Sequence, residues 1–288
     1  MAFINPVEYH EAVSLMREFF LAKGFVEVPT QCRLSILAAC EDPSTINMFE
    51  WRGQRWPLPQ TGQMWLEYEL LKNPDVPGLF CVSTSYRNEP NPKEGRHETI
   101  FPMFEFETHG TMDDMARLEC ELLEFMGFGN KDTIPQGDWL EMAAELGTDD
   151  IDAEAELAIQ QKYGDAFLLK NFPQFTSPFW NMKKVGDKAA KIDVLLHGME
   201  TIGSAERSCN PVEMRDLFFN ISDGMYANIL FDKFGRQRVE EELEEFLSHD
   251  FFPRYGGGIG VTRMIRALKL QKEKQETDKQ TDKVRKVA

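Results

Sequence analysis

Charged and aromatic side chains that could bind a ligand are concentrated between residues 83 and 107. This segment has the sequence STSYRNEPNPKEGRHETIFPMFEFE, with turn-forming and charged residues from Pro90 to Glu98 and alternating residues on either side. The pattern predicts two antiparallel strands joined by a long loop. Because successive side chains of a strand point to opposite faces, Arg87 and Glu89 share one face of the first strand. One face of the second strand carries Phe101, Met103, Glu105 and Glu107.

The other face of the second strand and the loop complete this hairpin. Ile100, Phe104 and Phe106 alternate with the polar set and are predicted to be core residues. Arg96 and His97 fall on the loop, above the face that collects the arginine, the carboxylates and the aromatic ring. That face is a candidate binding surface, although a solvated hairpin face could be equally polar.

A glycine cluster forms the second candidate element. Glycines at positions 256, 257, 258 and 260 precede an apparent helix that carries Arg263 and Arg266. Glycine lets the backbone come close to a ligand, and a helix N-terminus favours anions. The cluster does not match the dinucleotide fingerprint GxGxxG, and no βαβ unit with a distal acidic residue surrounds it. A lone glycine cluster is weak evidence for a binding site, and this one does not predict a dinucleotide.

A third element places two carboxylates and an arginine at equal intervals. Asp193, Glu200 and Arg207 are spaced by seven and seven residues in DVLLHGMETIGSAER. A turn at residues 197–199 would place the two carboxylates on neighbouring strands. Glu200 and Arg207 have opposite parity, so a bulge near Gly203 is needed to bring both to one site. Two carboxylates facing a triphosphate suit Mg²⁺, which prefers oxygen ligands; the alternative is that both are surface groups.

The elements that must position these residues begin with an amphipathic helix over residues 5–24. Asn5 is a suitable N-cap, Pro6 fits the first helical position and Gly24 is a natural C-terminal stop. A short strand, Phe25–Val28, follows. Further strand-like segments occur near residues 80–89, 99–109, 166–172, 191–196 and 200–207.

Helices fill much of the remaining chain. An acidic helical stretch runs from about residue 112 to residue 162, interrupted near Gly127–Gly137, and a last helix follows the glycine cluster. From Lys269 onward the chain lacks aromatic residues and has few apolar ones, which predicts a frayed helix end and a solvated tail. The order of elements indicates an α+β fold with a largely antiparallel sheet. We expect one domain over residues 1–270 and a charged tail over residues 271–288.

Composition limits the classes of function. The 32 basic and 48 acidic residues give a formal charge of −16, which argues against a protein that mainly grips a phosphate backbone. No apolar run approaches the roughly 20 residues that span a bilayer, and the start shows no secretory leader. The 5 cysteines are scattered without a CxxC pair, so neither a disulfide framework nor a thiolate zinc site is predicted. We therefore expect a cytoplasmic protein that does not bind membranes.

These elements together resemble the catalytic core of class II aminoacyl-tRNA synthetases, in the aspartate/asparagine/lysine branch. HEAVSLMREFFLAKGFVEVPT resembles the family's motif 1, which forms the dimer interface, YRNE…RHETIFPMFEFE resembles motif 2, and GGGIGVTR resembles motif 3. TGQMWLE (61–67) is similar to the amino-acid-binding segment, nearer to its asparaginyl version, and FPQFTSPFWNMK (172–183) also matches. The resemblance covers roughly residues 7–270. It implies a class II synthetase-like antiparallel sheet flanked by helices and a homodimer formed through the first helix.

The resemblance implies amino-acid activation by ATP with Mg²⁺. Arg87 would bind the α-phosphate and the carboxylate, and Arg263 would hold the γ-phosphate of a bent ATP. The adenine would lie between Phe101 and the Arg263 guanidinium, in a cation–π arrangement. Further implied ATP contacts are Glu89 on the adenine side, Arg96 and His97 at the pyrophosphate end, and Gly258 and Gly260, which leave room for the nucleotide. The implied Mg²⁺ ligands are Asp193 and Glu200.

The same resemblance implies the residues that bind the amino acid. Gln63 and Glu105 would hold its ammonium group. Arg207 would contact the far end of its side chain, in a bidentate pair if that end is a carboxylate. Glu67 would contact an amide or another donor; the alternative is that Glu67 is an exposed helix charge.

The sequence departs from the family pattern in several places. It starts directly at motif 1, so the N-terminal anticodon-binding OB domain is expected to be absent. The usual motif 1 proline falls at Gln31, with Pro29 two positions earlier, which puts the dimer contact in question. The lysine with which aspartyl enzymes hold the substrate side-chain carboxylate falls at Leu66, which cannot pair with that charge. The acidic net charge disfavours tRNA as a partner.

Three functions are consistent with these features. The first is an adenylate-forming ligase with ammonia or another small acceptor, as in the archaeal asparagine-synthetase-related proteins, which are stand-alone cores of similar size. The second is a minimal aminoacyl-tRNA ligase. The third is a paralogue that binds ligands without turnover; retention of Arg87, Arg263, Asp193 and Glu200 argues against it.

Overall fold

The first helix begins where the sequence analysis places it. The structure, a computed structural model, describes residues 3–30, 34–37, 43–92, 96 and 98–287. The side chain of Asn5 accepts hydrogen bonds from the backbone N–H groups of Val7 and Glu8, which caps the helix that starts at Pro6. Gly24 follows the helix at φ +84°, a conformation that glycine adopts without strain.

The chain forms nine helices of the α type and eleven strands within the residues that the structure describes, in a mixed order that fits the predicted α+β class. The helices are α1 (Pro6–Ala22), α2 (Gln63–Lys72), α3 (Met112–Phe125), α4 (Trp139–Leu146), α5 (Ala153–Tyr163), α6 (Pro211–Asn220), α7 (Met225–Phe234), α8 (Arg236–Leu247) and α9 (Val261–Val287). The strands are β1 (Val26–Glu27), β2 (Asn47–Trp51), β3 (Gln54–Leu58), β4 (Gly78–Tyr86), β5 (Ile100–His109), β6 (Gln136–Asp138), β7 (Ala166–Pro173), β8 (Lys184–Val185), β9 (Lys188–Leu196), β10 (Glu200–Glu206) and β11 (Arg254–Gly260).

One large sheet organises the molecule. Its strand order is β1-β4-β5-β11-β10-β9-β7-β6, with β8 added beside β9. The neighbours from β4 to β7 are all antiparallel, while β1 pairs with β4 and β6 pairs with β7 in parallel. The predicted largely antiparallel sheet is confirmed. A separate two-stranded sheet is formed by β2 and β3.

The glycine cluster is a strand of this sheet, which the sequence analysis did not predict. Strand β11 lies between β5 and β10 and places Gly256 opposite Glu107. A Cβ on Gly256 would lie 1.8 Å from Oε2 of Glu107, and one on Gly258 would lie 2.5 Å from Nε2 of Gln63. Both distances are far below van der Waals contact, so these glycines make room for polar side chains of the neighbouring elements.

Helices α1, α3 and α9 cover one face of the sheet. Phe20 of α1 lies at the centre, with its ring centroid 5.1 Å from that of Phe104 and 5.0 Å from that of Phe106. Phe104 and Phe106 are buried as predicted, whereas Ile100, at the start of β5, is 52% exposed and not a core residue. It sits at the end of the hairpin, beyond the helices that cover Phe104 and Phe106.

Helix α9 extends further than predicted. The charged segment from Lys269 continues the helix to Val287. Gln271 donates to the backbone oxygen of Gly127, and Lys274 forms an ion pair with Asp165. These contacts hold the helix past the point where fraying was expected. Among the part of the chain that the structure describes, we find no helix with the length and apolar character needed to cross a bilayer.

A carboxyl group is buried in the sheet-facing side of α3. Glu119 is 1% exposed, and neither of its carboxyl oxygens has a hydrogen-bond partner among the described residues. Burial raises the pKa of Glu119 to about 8, and the nearby Asp193 carboxylate adds to the rise. Glu119 is therefore mostly protonated at neutral pH.

Replacing Glu119 with glutamine is expected to stabilise the protein most at high pH. Burial raises the folded-state pKa of Glu119 from its usual value of 4.5 to about 8. Between these two pH values the folded protein binds more protons than the unfolded chain, so the free energy of unfolding falls as the pH rises towards 8. In Glu119→Gln that loss is removed. Melting temperatures measured from pH 5 to pH 9 should show a gain over wild type that grows with pH to about 5 °C. A gain independent of pH would contradict the prediction.

Candidate active site

The face of the sheet opposite α1, α3 and α9 borders a cavity of about 430 Å³. This volume lies within the range of small-molecule sites. Helix α2 packs against β4, β5 and β11 beside it. The cavity brings together most of the residues singled out in the sequence, namely Gln63, Arg87, Glu89, Arg96, Phe101, Glu200, Arg207, Gly258, Gly260 and Arg263. Glu67, Glu105 and Asp193 lie close by without lining it, and His97 and Gln31 fall outside the described residues.

The hairpin of β4 and β5 presents Arg87 and Phe101 to the cavity. The pairing continues past the end of β4, because the backbone N–H of Arg87 donates to the oxygen of Thr99 at 2.8 Å. The Arg87 guanidinium carbon lies 5.4 Å from the centre of the Phe101 ring, within cation–π range. In this structure the guanidinium beside Phe101 is therefore that of Arg87.

Arg263, at the start of α9, links the hairpin loop to β10. Its Nη1 donates to the backbone oxygen of Glu200 at 2.7 Å and to Oε2 of the same residue at 3.3 Å. Its Nη2 donates to the backbone oxygen of Arg96 at 3.4 Å. The Arg96 side chain pairs with Glu156 of α5 at 2.7 Å. The guanidinium groups of Arg263 and Arg96, which could bind phosphate, are thus each paired with a carboxylate in this structure.

A bulge brings Glu200 to the same site as Arg207. The register of β10 against β9 shifts between Glu200 and Ile202, which makes Thr201 the extra residue. The bulge predicted near Gly203 is therefore present, two positions before that glycine. As a result Glu200, Gly203 and Arg207 all line the cavity.

Gly203 leaves an opening between the two predicted metal-binding carboxylates. A Cβ built on Gly203 would lie 3.2 Å from Oε1 of Glu200 and 3.6 Å from Oδ1 of Asp193. Lys191, on the same face of β9 as Asp193, lies 3.2 Å from Oδ2 of that residue. Burial alone would raise the pKa of Glu200, but Arg263 and Lys191 hold it below its usual value. Both carboxylates are therefore next to cations in this structure.

Arg207 is engaged by the protein itself. Its Nε and Nη2 donate to the two carboxylate oxygens of Glu107, at 3.1 and 2.9 Å, and Nη2 also donates to Oε1 of Gln63 at 3.1 Å. Both members of the Arg207–Glu107 pair are buried. Burial raises the pKa of Glu107 to about 7, against the opposing effect of Arg207. The bidentate pairing that the sequence analysis reserved for a substrate carboxylate is made with Glu107.

Glu67 forms a second buried pair. Its Oε1 accepts from Nε of Arg254 at 3.0 Å and also from Nη2, and its Oε2 accepts from the Asn181 amide at 2.5 Å. Both charged side chains are 0% exposed, so the reading of Glu67 as an exposed helix charge is wrong. We call Glu67, Arg254, Glu107 and Arg207 the charge cluster.

Glu105 fixes the turn that precedes α2. Its carboxylate accepts from the backbone N–H of Gly62 at 2.8 Å, from the hydroxyl of Ser83 at 2.5 Å and from the hydroxyl of Thr61. The next residue is Gln63, whose backbone N–H donates to the Thr61 hydroxyl at 3.1 Å. The Glu105 carboxylate is thus already engaged by the turn that leads into Gln63.

Three residues of the site were not identified from the sequence as functional. Lys191 could have been found, because it precedes Asp193 by two positions and so shares its face of the strand. Arg254 and Asn181 gave no local signal, since Glu67 is 187 residues from Arg254 and 114 from Asn181. Within the described ranges no group of three or more His, Cys, Asp or Glu side chains is arranged to hold a metal ion.

Comparison with known proteins identifies the family. The family model described as tRNA synthetases class II (D, K and N) matches residues 8–276. The chain belongs to this family. The match covers all of the elements that line the cavity, so the resemblance stated from the motifs is confirmed for the family and for the fold.

Similar proteins include aspartyl and asparaginyl members of the family. The aspartate–tRNA(Asp) ligase of Pyrobaculum aerophilum is 28% identical over 120 residues, which are 42% of this chain and 25% of that ligase. The asparaginyl-tRNA synthetase of Pyrococcus horikoshii, complexed with asparaginyl-adenylate, superimposes with a TM-score of 0.73 at 20% identity over 92% of this chain and 65% of that one. The asparaginyl-tRNA synthetase of Entamoeba histolytica with asparaginyl-adenylate gives 0.70 at 17% identity, over 91% and 63%.

These comparisons show a shared fold and a difference in length. The chain spans about a quarter of the curated ligase and less than two thirds of either solved synthetase. The structural likeness extends across the sheet and its flanking helices and therefore confirms the class II synthetase-like α+β fold.

Proposed function

We propose that this chain activates an amino acid with ATP. The amino-acid carboxylate would attack the α-phosphorus of ATP, forming a new phosphorus–oxygen bond and an aminoacyl-adenylate, while the bond to the β-phosphate breaks and pyrophosphate leaves. The observation that carries the proposal is the cavity in which Arg87, Phe101, Glu200 and Arg263 meet in a chain of the class II tRNA synthetase family. Such a reaction depends on alignment and charge neutralisation, which this cavity can provide.

The hairpin and the start of α9 would bind the nucleotide. Arg87 would stabilise the charge that develops on the α-phosphate, and Phe101, already next to a guanidinium, would stack on the adenine. Arg263 and Arg96 would exchange their present carboxylate and carbonyl partners for phosphate oxygens. Glu89, Gly258 and Gly260 also line the cavity, beside the adenine and the phosphates in this proposal; the pyrophosphate role of His97 stays a prediction.

The opening at Gly203 fits a magnesium ion. Asp193 and Glu200 offer two carboxylates around a gap that any side chain on Gly203 would fill. Mg²⁺ is commonly held by one or two carboxylates together with substrate phosphates. The ion would neutralise phosphate charge when bound. In this structure Arg263 pairs with Glu200 and lowers its pKa, and Lys191 lies 3.2 Å from the Asp193 carboxylate, so both carboxylates are next to a cation before any ion binds.

Gln63 and Arg207 would contact the amino acid directly. Gln63 is fixed by the turn that Glu105 holds, so we propose Glu105 as a positioning residue in place of the direct contact expected from sequence. Glu67 is likewise enclosed by Arg254 and Asn181. We therefore propose that Glu67 supports the residues that line the cavity and does not contact the amino acid.

The acceptor of the activated amino acid is proposed to be ammonia or another small nucleophile. The formal charge of −16 supports it, because an acidic protein repels the tRNA phosphate backbone. Family membership favours the alternative, transfer to tRNA. We also propose that residues 1–270 form the catalytic unit and that two copies associate through α1, where Val7 and Leu21 are exposed.

Amino-acid-dependent exchange between ATP and labelled pyrophosphate tests the proposal. Exchange that requires both Mg²⁺ and one of the standard amino acids is the expected result. Absence of exchange with every amino acid would contradict the proposal and favour a role in binding alone. Where exchange occurs, adding ammonia or tRNA and following AMP release distinguishes the two acceptors.

A further inference from the structure

We propose that Lys191 is a further cation of the nucleotide site, which pairs with Asp193 in the ligand-free chain and with a phosphate oxygen of ATP once Asp193 is used for a divalent ion. This inference rests on the proposed function and deepens it. It adds a residue that contacts the phosphates, and it links the binding of the ion to the binding of the nucleotide. The chain alone would then bind divalent ions weakly.

The position of Lys191 on β9 is the first argument. Lys191 and Asp193 lie on the same face of the strand, and Nζ of Lys191 is 3.2 Å from Oδ2 of Asp193. The two side chains are only 17% and 11% exposed, so neither charge is well hydrated. Loss of one partner from such a pair is costly, because the remaining charge has little water around it. When Asp193 is used for a metal ion, the Lys191 ammonium therefore needs another anion.

The second argument is the open space beside Lys191. The residues of β10 opposite Asp193 and Lys191 are Gly203 and Ala205, which have no side chain or only a methyl group. Lys191, Gly203 and Ala205 all line the cavity. Nζ of Lys191 also lies 4.2 Å from the centre of the Phe172 ring, a contact that favours a cation. The ammonium is therefore accessible from the cavity in which we propose that ATP binds.

The third argument is the charge around Glu200. Arg263, Lys191 and Arg87 all lower the pKa of Glu200, so three cations act on one of the two carboxylates proposed for Mg²⁺. Like charges repel strongly at short range where bulk water is excluded, so a divalent ion added to this group without a nucleotide would be destabilised. The phosphates of ATP supply the missing negative charge and give Lys191 a partner in place of Asp193. The ion and the nucleotide should therefore bind together.

Manganese binding without a nucleotide tests the competition between Lys191 and the metal ion. Mn²⁺ suits the same oxygen ligands as Mg²⁺, and free Mn²⁺ can be followed by electron paramagnetic resonance. Lys191→Met should tighten Mn²⁺ binding at least about 10-fold relative to wild type, because the repelling cation is gone. Adding Asp193→Asn to Lys191→Met should abolish the gain, which would assign it to this site.

Binding of Mg²⁺–ATP without an amino acid tests the second partner of Lys191. Isothermal titration calorimetry should show that Lys191→Met binds Mg²⁺–ATP about 10-fold more weakly than wild type, because one charge-assisted bond to phosphate is lost. The same substitution would thus tighten Mn²⁺ binding and weaken ATP binding. A purely structural lysine does not produce this pair of opposite shifts. Lys191→Arg keeps the positive charge and should bind Mn²⁺ as weakly as wild type.

Lys188→Met is the matched control. Lys188 lies on the same strand and pairs with Asp138 at 2.9 Å, and neither residue lines the cavity. The substitution removes the same charge and should leave both affinities within about twofold of wild type, since surface pairs contribute little. Melting temperatures would show whether each variant is folded.

The outcomes separate this inference from the function on which it depends. If Mn²⁺ binds Lys191→Met no more tightly than it binds wild type or Lys188→Met, the competition is ruled out. If Lys191→Met binds Mg²⁺–ATP as tightly as wild type, Lys191 does not contact the phosphates. Neither measurement requires turnover, so the proposed function would stand in both cases. Absence of pyrophosphate exchange in a chain that shows both shifts would overturn amino-acid activation alone, and a wild-type chain that does not bind Mg²⁺–ATP would overturn both.

Discussion

Alanine at position 87 is expected to reduce amino-acid-dependent pyrophosphate exchange by about 100- to 1,000-fold, mostly through kcat. The hairpin holds the Arg87 guanidinium in the cavity. In the proposed reaction, alanine would leave the negative charge that develops on the α-phosphate oxygens without a cationic partner. The backbone bond from Arg87 to Thr99 does not involve the side chain. The hairpin should therefore persist in the variant, as circular dichroism and the melting temperature would show.

The control for this prediction is a surface arginine away from the cavity. Arg236, on α8, has a largely exposed side chain paired with Glu240. Arg236→Ala should exchange pyrophosphate at a rate within about twofold of wild type, since surface pairs contribute little. If Arg87→Ala were as active as Arg236→Ala, Arg87 would have no role in the chemical step.

Methionine in place of Arg254 is expected to lower the free energy of unfolding by about 3–5 kcal/mol. The substitution leaves the Glu67 carboxylate buried, with the Asn181 amide and without a cation. Removing one partner of a buried pair is more costly than removing both, because the remaining charge has lost its water. Urea unfolding followed by tryptophan fluorescence would measure the change.

The double variant shows whether the unpaired charge causes the loss. Glu67→Gln combined with Arg254→Met should recover a large part of the stability lost in Arg254→Met alone, since no buried charge is then left unpaired. The Arg236→Ala variant should change the unfolding free energy by less than about 1 kcal/mol. Equal losses in the single and double variants would instead attribute the effect to packing of the arginine side chain.

Local patterns in the sequence predicted much of the fold. The cap at Asn5 and the two faces of β5 depend on neighbouring residues, and both are found as predicted: Phe104 and Phe106 join the core, while Phe101 and Met103 line the cavity. The helices of residues 211–247 and the hairpin of β2 and β3 were not predicted, and neither was helix α2, although it carries Gln63 and Glu67. Ile100 shows the limit of alternation, which gives the face of a strand without saying how far the covering helices extend.

The candidate site was predicted more fully at its nucleotide end than at its amino-acid end. Arg87, Phe101 and Glu200 lie on neighbouring strands, so spacing and one bulge are enough to bring them together. The charge cluster depends on pairs between segments that are distant in the sequence. A carboxylate that pairs with a buried arginine can have the same local sequence as one that faces a ligand. Glu67 and Arg207 were therefore assigned to the substrate, although their first partners belong to the protein.

Strand β11 has consequences for how the sheet opens. From Gly256 to Gly258 it has no side chains, so it is held between β5 and β10 by its main chain alone. Glycine loses more conformational freedom on folding than other residues, and such a strand gains its order only while both neighbours are in place. Its amide protons should therefore exchange with deuterated solvent only when the centre of the sheet separates. Their exchange rates would report the cooperative opening of the whole domain, at positions that lie directly beneath the bound nucleotide we propose.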